Sequence, residues 1–295
     1  MKTAIFTASF NRPDLMEELL NGLAENIEDL NGIDIYHYID GGSRSKQDEI
    51  KNIIDKSGVP YTSIVQREEN YGVGRNLIGA RRDLFDVHGY ERVILIEDDL
   101  IPGPNFVQTT LSVADWARDY DDIGMVQVWN LPNHPVSERD LDVVVPTHEH
   151  FYTYCIDVEV WDEIKDTLYE YERLYLDGVS YGDKDWRAIR KRFMKPRYSK
   201  VRKPRQGRTF LDAEYPHPPP FGSRLKRTVP TGQDAITALA LWEKGLIRLA
   251  TLAPRAVMKG VDGVHSTAKI FDQLGLNAQA DYEWHQAVPT TFRLP

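Results

Sequence analysis

Short apolar runs alternate with segments of helical periodicity through the first 130 residues. The apolar runs have the length and residue types of buried strands: KTAIFTAS, IDIYHYID, YTSIVQ and RVILIE. Between them, apolar residues recur at helical spacing in NRPDLMEELLNGL, SKQDEIKNIIDKS and GRNLIGARRDLFDVH, and Pro13 begins the first of these helices. This alternation predicts an α/β fold, with right-handed crossovers and a mostly parallel central sheet flanked by helices.

The second half of the sequence is less regular. DIGMVQVW and HFYTYCIDV are typical of strands and VWDEIKDTLYEY of a helix, and GQDAITALALWEKG is typical of a helix that ends at Gly245 before the short strand IRLATLAP. From about residue 169 to residue 230 the chain is rich in Tyr, Arg and Pro, and EYPHPPPFG excludes a regular helix. We predict one compact domain with halves at 1–130 and 131–295 and a large irregular insertion at about 169–230.

Polar clusters follow three of the predicted strands. They are SFNR at 9–12, DGGS at 40–43 and EDD at 97–99. In open parallel sheets, ligands bind beyond the carboxyl ends of the strands. We therefore expect the three clusters to converge on one crevice.

The glycine pattern excludes two common nucleotide sites. No glycine follows the first strand, and the GVG that begins at Gly72 follows the third strand and has Leu77 where a dinucleotide fingerprint needs a third glycine. The sequence also lacks a GxxxxGK[ST] loop. Neither a dinucleotide-dependent dehydrogenase nor a P-loop kinase fits.

Composition narrows the class further. The chain is 41% hydrophobic and 27% charged, which is ordinary for a soluble globular protein, and it has no apolar run of membrane-spanning length. We predict a cytoplasmic protein, with a peripheral position at a membrane surface left open. The single cysteine, Cys155, excludes an internal disulfide and is predicted to be a buried small hydrophobe.

A dense basic segment interrupts an acidic chain. Arg187–Arg208 contains 11 Lys or Arg in 22 residues and no acid, although the net charge of the chain is −9. Such a segment is either a solvated face or an anion-binding arm. The neighbouring prolines and aromatic residues favour anion binding.

The three acids at 97–99 directly follow a buried strand. Mg²⁺ and Mn²⁺ prefer oxygen ligands, use one or two carboxylates, and complete their coordination with water and substrate phosphates. A solvated acidic turn before Pro102 is the alternative. The position of the acids at the end of a buried parallel strand favours a divalent metal.

The EDD stretch also has a family resemblance. IEDDLIPGPNF resembles the EDD form of the DxD motif in nucleotide-sugar glycosyltransferases of the GT-A fold, and most nearly the N-acetylglucosaminyltransferase I family. VQVWNLPN, HFYTYCIDVEVWDEI and GVDGVHSTAKIFDQLGLN resemble later segments of that family in the same order, and NRPDLMEELLNGL and YIDGGSRSKQDEI resemble the GT-A donor-binding opening. The likeness covers roughly 3–165 and 231–277. No membrane anchor and no counterpart of 169–230 accompany it, so neither a Golgi location nor an acceptor carries over.

The resemblance implies an inverting transfer from a UDP-sugar, such as UDP-GlcNAc, to a hydroxyl acceptor with the help of Mn²⁺ or Mg²⁺. It makes 1–130 the donor-binding half and 131–295 the acceptor-binding and catalytic half. It implies metal ligands at Asp99 and His265, and an acceptor side that includes Trp129 and Asn130. The implied donor-binding residues are Asn11, Arg12, Asp40, Arg75, Asn76, Glu97, Asp98 and Ser266.

The general base is predicted to be Asp234, at the start of a late helix where the family places its catalytic aspartate. An acid in a first helical turn is also favoured by the helix dipole without any catalytic duty. Asp183 and Asp185 in YGDKDWRAI are the alternatives because they precede a tryptophan in a similar way.

Two other function classes remain open at this stage. Sugar-phosphate nucleotidyltransferases also pair strand-end acids with Mg²⁺, but SFNRPD lacks the glycine-rich basic loop expected after their first strand. A non-catalytic module that binds anions or nucleic acid would rest on Arg187–Arg208 alone. The same segment suggests a phosphate-bearing acceptor, such as a lipid-linked saccharide or a modified nucleic acid.

Overall fold

The computed structural model describes residues 1–130, 137–147, 152–194, 203–211, 232–261, 268–273, 276 and 284–295. Within these ranges the strands are β1 (Thr3–Ser9), β2 (Asp34–Ile39), β3 (Tyr61–Gln66), β4 (Arg92–Glu97), β5 (Leu100–Pro102), β6 (Ile123–Gln127), β7 (Val144–Pro146), β8 (Thr153–Asp157), β9 (Ile247–Thr251) and β10 (Ala256–Met258). The α-helices are α1 (Pro13–Ala24), α2 (Arg44–Lys56), α3 (Gly72–Arg82), α4 (Phe106–Ala117), α5 (Val158–Tyr175), α6 (Trp186–Ile189), α7 (Gln233–Glu243) and α8 (Ala268–Gln273). Short 3-10 turns lie at Ile27–Leu30, Glu138–Asp140 and Tyr181–Asp183, and π-helical turns lie at Asp83–Val87 and Arg190–Met194.

Eight of these strands form one sheet in the order β3-β2-β1-β4-β8-β6-β9-β7. β1 pairs in parallel with β2 and β4, β2 pairs in parallel with β3, and β6 pairs in parallel with β9. β8 is antiparallel to β4 and β6, and β7 is antiparallel to β9, so six strands run in one direction and two in the other. The predicted mostly parallel sheet is confirmed. Separately, β5 and β10 form a two-stranded antiparallel ribbon.

Helices cover both faces of the sheet because alternate residues of the inner strands are apolar on both sides. Ile5 and Ile94 face a core that includes residues of α1, α2 and α4. Phe6 and Leu95 face a second core that includes residues of α3, α5 and α7. Each such side chain contributes about 1.5–3 kcal/mol when it is fully buried, so the two cores together fix the layers around the sheet.

Two glycines end or begin helices where the sequence pattern requires them. Gly245 follows α7 with φ +74°, and a Cβ there would lie 2.3 Å from the carbonyl oxygen of Lys203. Gly72 begins α3 with φ +68°. The predicted helix end at Gly245 is confirmed. Gly72, the first glycine of GVG, allows the chain to turn into α3.

The stretch predicted to be irregular from about residue 169 begins with regular structure. α5 continues to Tyr175 because the buried side chains of Leu168 and Tyr171 maintain its apolar face. Further on, α6 and the π-helical turn at Arg190–Met194 place Ile189 and Phe193 in the second core. The predicted insertion thus also contains short regular elements among its described residues.

Candidate active site

Arg12 joins the end of β1 to the end of β4. β1 lies between β2 and β4, so the residues that follow these strands emerge side by side. The Arg12 guanidinium donates to both oxygens of Asp98, through Nε at 3.3 Å to Oδ2 and through Nη2 to Oδ1. It also donates to Oδ2 of Asp99 at 3.2 and 3.3 Å. Asn11 is exposed beside it. The expected convergence of the clusters after β1 and β4 is confirmed.

Asp234 brings a fourth carboxylate to the acids that follow β4. Burial and the negative charges of three neighbouring carboxylates raise the pKa of Glu97 well above its ordinary value; these are Asp99, Asp234 and Asp98. Burial also raises the pKa of Asp98, although the positive charge of Arg12 opposes the rise. So much negative charge in one crevice favours either a bound proton or a bound cation.

Asp234 itself lies in the first turn of α7. Its side chain is exposed to solvent on one side. The protein atoms around the carboxylate still desolvate it, and this raises its pKa. The nearby positive charges of Arg81 and Arg248 lower that pKa, and a hydrogen bond from Gln233 acts in the same direction. A solvent-accessible carboxylate with these neighbours is well placed to accept a proton.

Tyr152 lies among the acids because β8 runs antiparallel to β4. Its backbone carbonyl accepts a hydrogen bond from the Glu97 N–H at 3.0 Å. Burial and the charges of Glu97, Asp99 and Asp234 raise the pKa of its hydroxyl, which therefore stays protonated. The ring of Trp129 packs edge-to-face on Tyr152 at 5.2 Å and is only 1% exposed. Trp129 thus supports the crevice from the core, and its contact with an acceptor stays a prediction.

Asp99 has the features expected of a metal ligand. Its Oδ1 is buried and has no hydrogen-bond partner in the structure as described, whereas Oδ2 contacts Arg12. Gly260 packs on this side chain so closely that a Cβ would lie 2.7 Å from Oδ2, and the Lys259 N–H donates to the Asp99 carbonyl oxygen at 2.8 Å. A buried oxygen without a partner, beside other carboxylates, fits a divalent cation.

The rest of a metal site is not supplied by the described residues. Across the described ranges, no group of three or more His, Cys, Asp or Glu side chains is arranged to hold a metal ion. One carboxylate with substrate phosphates would satisfy Mg²⁺ or Mn²⁺ without such a group. The predicted ligand His265 and the predicted donor contact Ser266 lie outside the described residues.

Asp40 holds a loop at the end of β2. Its Oδ1 accepts from the backbone N–H groups of Gly41 at 2.8 Å and Tyr71 at 2.7 Å. Asp40 is buried, and desolvation raises its pKa against these hydrogen bonds. Gly41 makes the approach possible, since a Cβ there would lie 2.1 Å from the carbonyl oxygen of Glu69. The predicted contact of Asp40 with a nucleotide stays a prediction, alongside this structural role.

Arg75 and Asn76 lie in the first turn and a half of α3. Arg75 forms an ion pair with Asp177 at 2.9 Å and stacks on the ring of Tyr71 at 3.9 Å. Asn76 is buried and accepts a hydrogen bond from Nε of Arg67 at 3.2 Å. These contacts place both residues beside the loop that Asp40 holds, on the β2–β3 side of the crevice. Their contact with a donor stays a prediction.

The alternatives to Asp234 have other roles in the structure. Asp185 caps α6 by accepting a hydrogen bond from the Ala188 N–H at 2.8 Å. Asp183 is exposed in a 3-10 turn. Asp234 is the candidate whose charge acts on Glu97. Asn130 is half-buried just after Trp129, and its predicted contact with an acceptor stays a prediction.

The described part of the basic segment forms internal contacts. Arg192 pairs with Glu170, and Arg205 pairs with Glu163 at 2.8 and 3.0 Å. The backbone N–H of Arg208 donates to the Asp121 carboxylate at 2.7 Å. The guanidinium carbon of Arg208 lies 4.7 Å from the ring centre of Tyr120. These arginines help attach the segment to the domain. Residues 195–202 lie outside the described residues, and anion binding by the segment stays a prediction.

Sequence reasoning missed three residues of the crevice: Arg81, Gln233 and Tyr152. Arg81 is fully buried in α3 even though it is charged. Its position four residues after Leu77 and three after Ile78 puts it on the apolar face of the helix. A charged residue at such a position is the sequence signal that could have identified Arg81. Gln233 and Tyr152 carry no such signal, because their importance depends on how α7 and β8 meet β4.

Among the described residues, no helix is both long enough and apolar enough to cross a membrane.

Comparisons with known proteins give structural but not sequence likeness. No protein-family model matches the chain. No curated protein matches it in sequence. The structure resembles a mannosyltransferase from Pyrobaculum calidifontis solved with GDP-Man and Mn²⁺, at 16% identity and a TM-score of 0.42; the match covers 55% of this chain and 46% of that one, so it spans about half of the mannosyltransferase.

Two further solved structures are similar at the same level. Residues 1–349 of TarS from S. aureus match at 10% identity and a TM-score of 0.45, over 97% of this chain and 67% of that one. Glucosyl-3-phosphoglycerate synthase from Mycobacterium tuberculosis, solved with Mn²⁺, UDP and phosphoglyceric acid, matches at 14% identity and a TM-score of 0.38, over 59% of this chain and 65% of that one. All three TM-scores lie below 0.5, and the resemblance to the N-acetylglucosaminyltransferase I family stays a prediction.

Proposed function

We propose that this protein is a metal-dependent, inverting glycosyltransferase of GT-A type that moves a sugar from a UDP-sugar, such as UDP-GlcNAc, to a hydroxyl acceptor. One observation carries the proposal. Asp234, the residue predicted as general base, lies close enough to the strand-end acids for its charge to raise the pKa of Glu97. These residues are far apart in the sequence, and the effect of Asp234 on Glu97 supports a single crevice that contains them both. The reaction needs a base beside the acids that hold a cation and a diphosphate.

The donor side of the site is the end of β4. Asp99 presents a buried Oδ1 without a described partner, and it would hold Mn²⁺ or Mg²⁺ together with phosphate oxygens. When bound, such an ion neutralises charge that develops on the leaving diphosphate. Arg12 adds a second positive charge at the same place, and Glu97 and Asp98 are proposed to contact the sugar and ribose hydroxyls.

The acceptor side is the start of α7. Asp234 would accept the proton of the acceptor hydroxyl while that oxygen bonds to the anomeric carbon and the carbon–oxygen bond to the diphosphate breaks. One base acting on the face opposite the leaving group gives inversion, and the transition state resembles an oxocarbenium ion. Solvent access and a raised pKa both suit this role, since a base works best when its pKa approaches the working pH.

The acceptor is proposed to carry phosphate, since Arg187–Arg208 remains strongly basic. Arg187, for example, is exposed in α6. A lipid-linked saccharide and a nucleic acid share this chemistry, and both are compatible with the proposed cytoplasmic location. A nucleic acid acceptor predicts a steep loss of activity between low and moderate salt, because its counterions are released on binding.

The direct test is donor turnover. Purified protein with Mn²⁺ would be incubated with UDP-, GDP- and dTDP-sugars, and free nucleoside diphosphate and pyrophosphate would be measured separately. We expect slow release of UDP from one sugar, with water as acceptor, and loss of that release in Asp234→Asn and Asp99→Asn. The exposed Asp48→Asn variant is the matched control and should behave as wild type. Release of pyrophosphate from UTP and a sugar 1-phosphate, in a parallel reaction, would instead identify a nucleotidyltransferase.

A further inference from the structure

Gln233 forms the link between a buried arginine and the candidate base. Its side-chain oxygen accepts a hydrogen bond from Nη2 of Arg81 at 2.9 Å, and its side-chain nitrogen donates to Oδ1 of Asp234. Gln233 is 4% exposed, so water does not compete effectively for these groups. Both halves of the amide are therefore committed to protein partners.

The direction of this amide is determined by chemistry. A guanidinium has donors and no acceptor, so the group of Gln233 that faces Arg81 must be the oxygen. The nitrogen then has to point to Asp234, where it donates to a carboxylate. The Thr237 hydroxyl donates to the backbone carbonyl oxygen of Gln233 at 2.8 Å, which holds the main chain of this turn rather than the amide.

Arg81 is itself fixed. It is fully buried, its Nε donates to the Leu77 carbonyl oxygen at 3.2 Å, and its guanidinium lies 5.4 Å from the ring centre of Trp161. α3 and α7 pack closely at this point, since a Cβ on Gly74 would lie at an ordinary contact distance of 3.5 Å from Cβ of Gln233. The buried guanidinium of Arg81, which is held in place by these contacts, thus determines the direction of the Gln233 side-chain amide.

We infer that Gln233, oriented by Arg81, is a positioning residue that holds Oδ1 of Asp234 and leaves Oδ2 free to accept the proton of the acceptor hydroxyl. The inference rests on the proposed function. Asp234 is exposed, so the hydrogen bond from the amide is what would hold its carboxylate in one orientation in the crevice. A misplaced base costs on the order of 10- to 100-fold in rate.

The substitution Gln233→Glu separates this role from a purely structural one. A glutamate keeps an oxygen for Arg81 and turns that contact into an ion pair, so the fold should be retained. It removes the N–H that Asp234 needs and puts a second carboxylate beside the first. We expect kcat for UDP release to fall about 10- to 100-fold, with the KM for the donor within about twofold of wild type.

The pH profile gives a second readout. The groups that face Asp234 are Glu97 on β4, Tyr152 just before β8, Tyr154 in β8, Arg81 on α3 and Arg248 on β9. A hydrogen bond from Gln233 lowers the pKa of Asp234, and a carboxylate in its place would raise it. Since the base acts in its deprotonated form, the acid limb of kcat should move to higher pH in Gln233→Glu.

Controls separate the possible failures. Arg81→Lys should also lower kcat, whereas Arg92→Lys, at a buried arginine that pairs with Asp115 and Asp157 at the opposite end of the sheet, should not. If Gln233→Glu does not fold, Gln233→Asn, which is too short to reach both partners, is judged by the same criteria. Wild-type kcat and pH profile in a folded variant would overturn the inference. Absence of turnover in the wild-type protein would instead count against the proposed function.

Discussion

Replacing Arg12 with glutamine should destabilise the protein, because it removes the positive charge that pairs with Asp98 and Asp99. Two unit charges 3.3 Å apart, the separation of Nη1 of Arg12 from Oδ2 of Asp99, attract by about 5 kcal/mol at an effective dielectric constant of about 20. Removing one partner of a buried pair costs about 3–5 kcal/mol. The Arg12 side chain is 29% exposed, so we expect a smaller loss of about 2 kcal/mol.

This loss should depend on pH and on metal. Without Arg12, which opposes the rise in the pKa of Asp98, the folded-state pKa of that carboxyl rises further, so the native state binds a proton that the unfolded state releases. The variant therefore loses stability as pH rises, and its difference from wild type should be larger at pH 8 than at pH 5. A cation bound at Asp99 would replace the missing charge, so Mn²⁺ should stabilise Arg12→Gln more than wild type.

Thermal unfolding with EDTA and with Mn²⁺ measures both effects. A loss of about 2 kcal/mol corresponds to a decrease in Tm of about 4 °C for a protein of this size. Arg44→Gln removes an exposed arginine that pairs with Asp48 and should change stability by less than about 0.5 kcal/mol. The reasoning would be refuted if Arg12→Gln unfolded at the wild-type temperature in EDTA at pH 8, or if Mn²⁺ stabilised both proteins equally.

Two more predictions concern the same crevice. Because the pKa of Glu97 is raised in the folded state, the native protein binds a proton that the unfolded chain releases above about pH 4.3, and the protein loses stability as pH rises. Glutamine does not titrate, so metal-free Glu97→Gln should lose less stability than wild type between pH 5 and pH 8. Urea unfolding at both values checks this, and equal losses would contradict it. Gly41→Ala should cost about 1–3 kcal/mol, because its Cβ would overlap the Glu69 carbonyl and displace the Asp40 loop. Gly182→Ala, with no atom within 4 Å of its Cβ, is the control, and equal urea midpoints in the two variants would disprove the claim.

Much of the fold was predictable because most of its elements have a clear period. The leucines of α1 and the alternating faces of β1 and β4 determine which side of the sheet each element covers. The antiparallel direction of β8 was not predictable, since its residues suit a strand of either direction. β5 and β10 have three residues each, which is too short for periodicity to be detected.

The candidate site was predictable only where the sequence places chemistry at the end of an element. Asp98 and Asp99 directly follow a buried strand, and Arg12 follows another, so topology alone brings them together. The Arg81–Gln233 contact joins α3 to α7 across a long stretch of sequence, and no local pattern indicates it. Tyr152 reaches the acids through the strand direction that the sequence left undetermined.

The central claim is that Asp99 holds a divalent cation against a nucleoside diphosphate, and calorimetric titration of UDP tests it most directly. Wild type should bind UDP much more tightly with Mn²⁺ than with EDTA. Asp99→Asn should lose that difference, whereas Asp234→Asn, on the acceptor side, and the exposed control Asp48→Asn should keep it. UDP binding that is equally tight with and without Mn²⁺ in the wild-type protein, or fully metal-dependent in Asp99→Asn, would contradict the account.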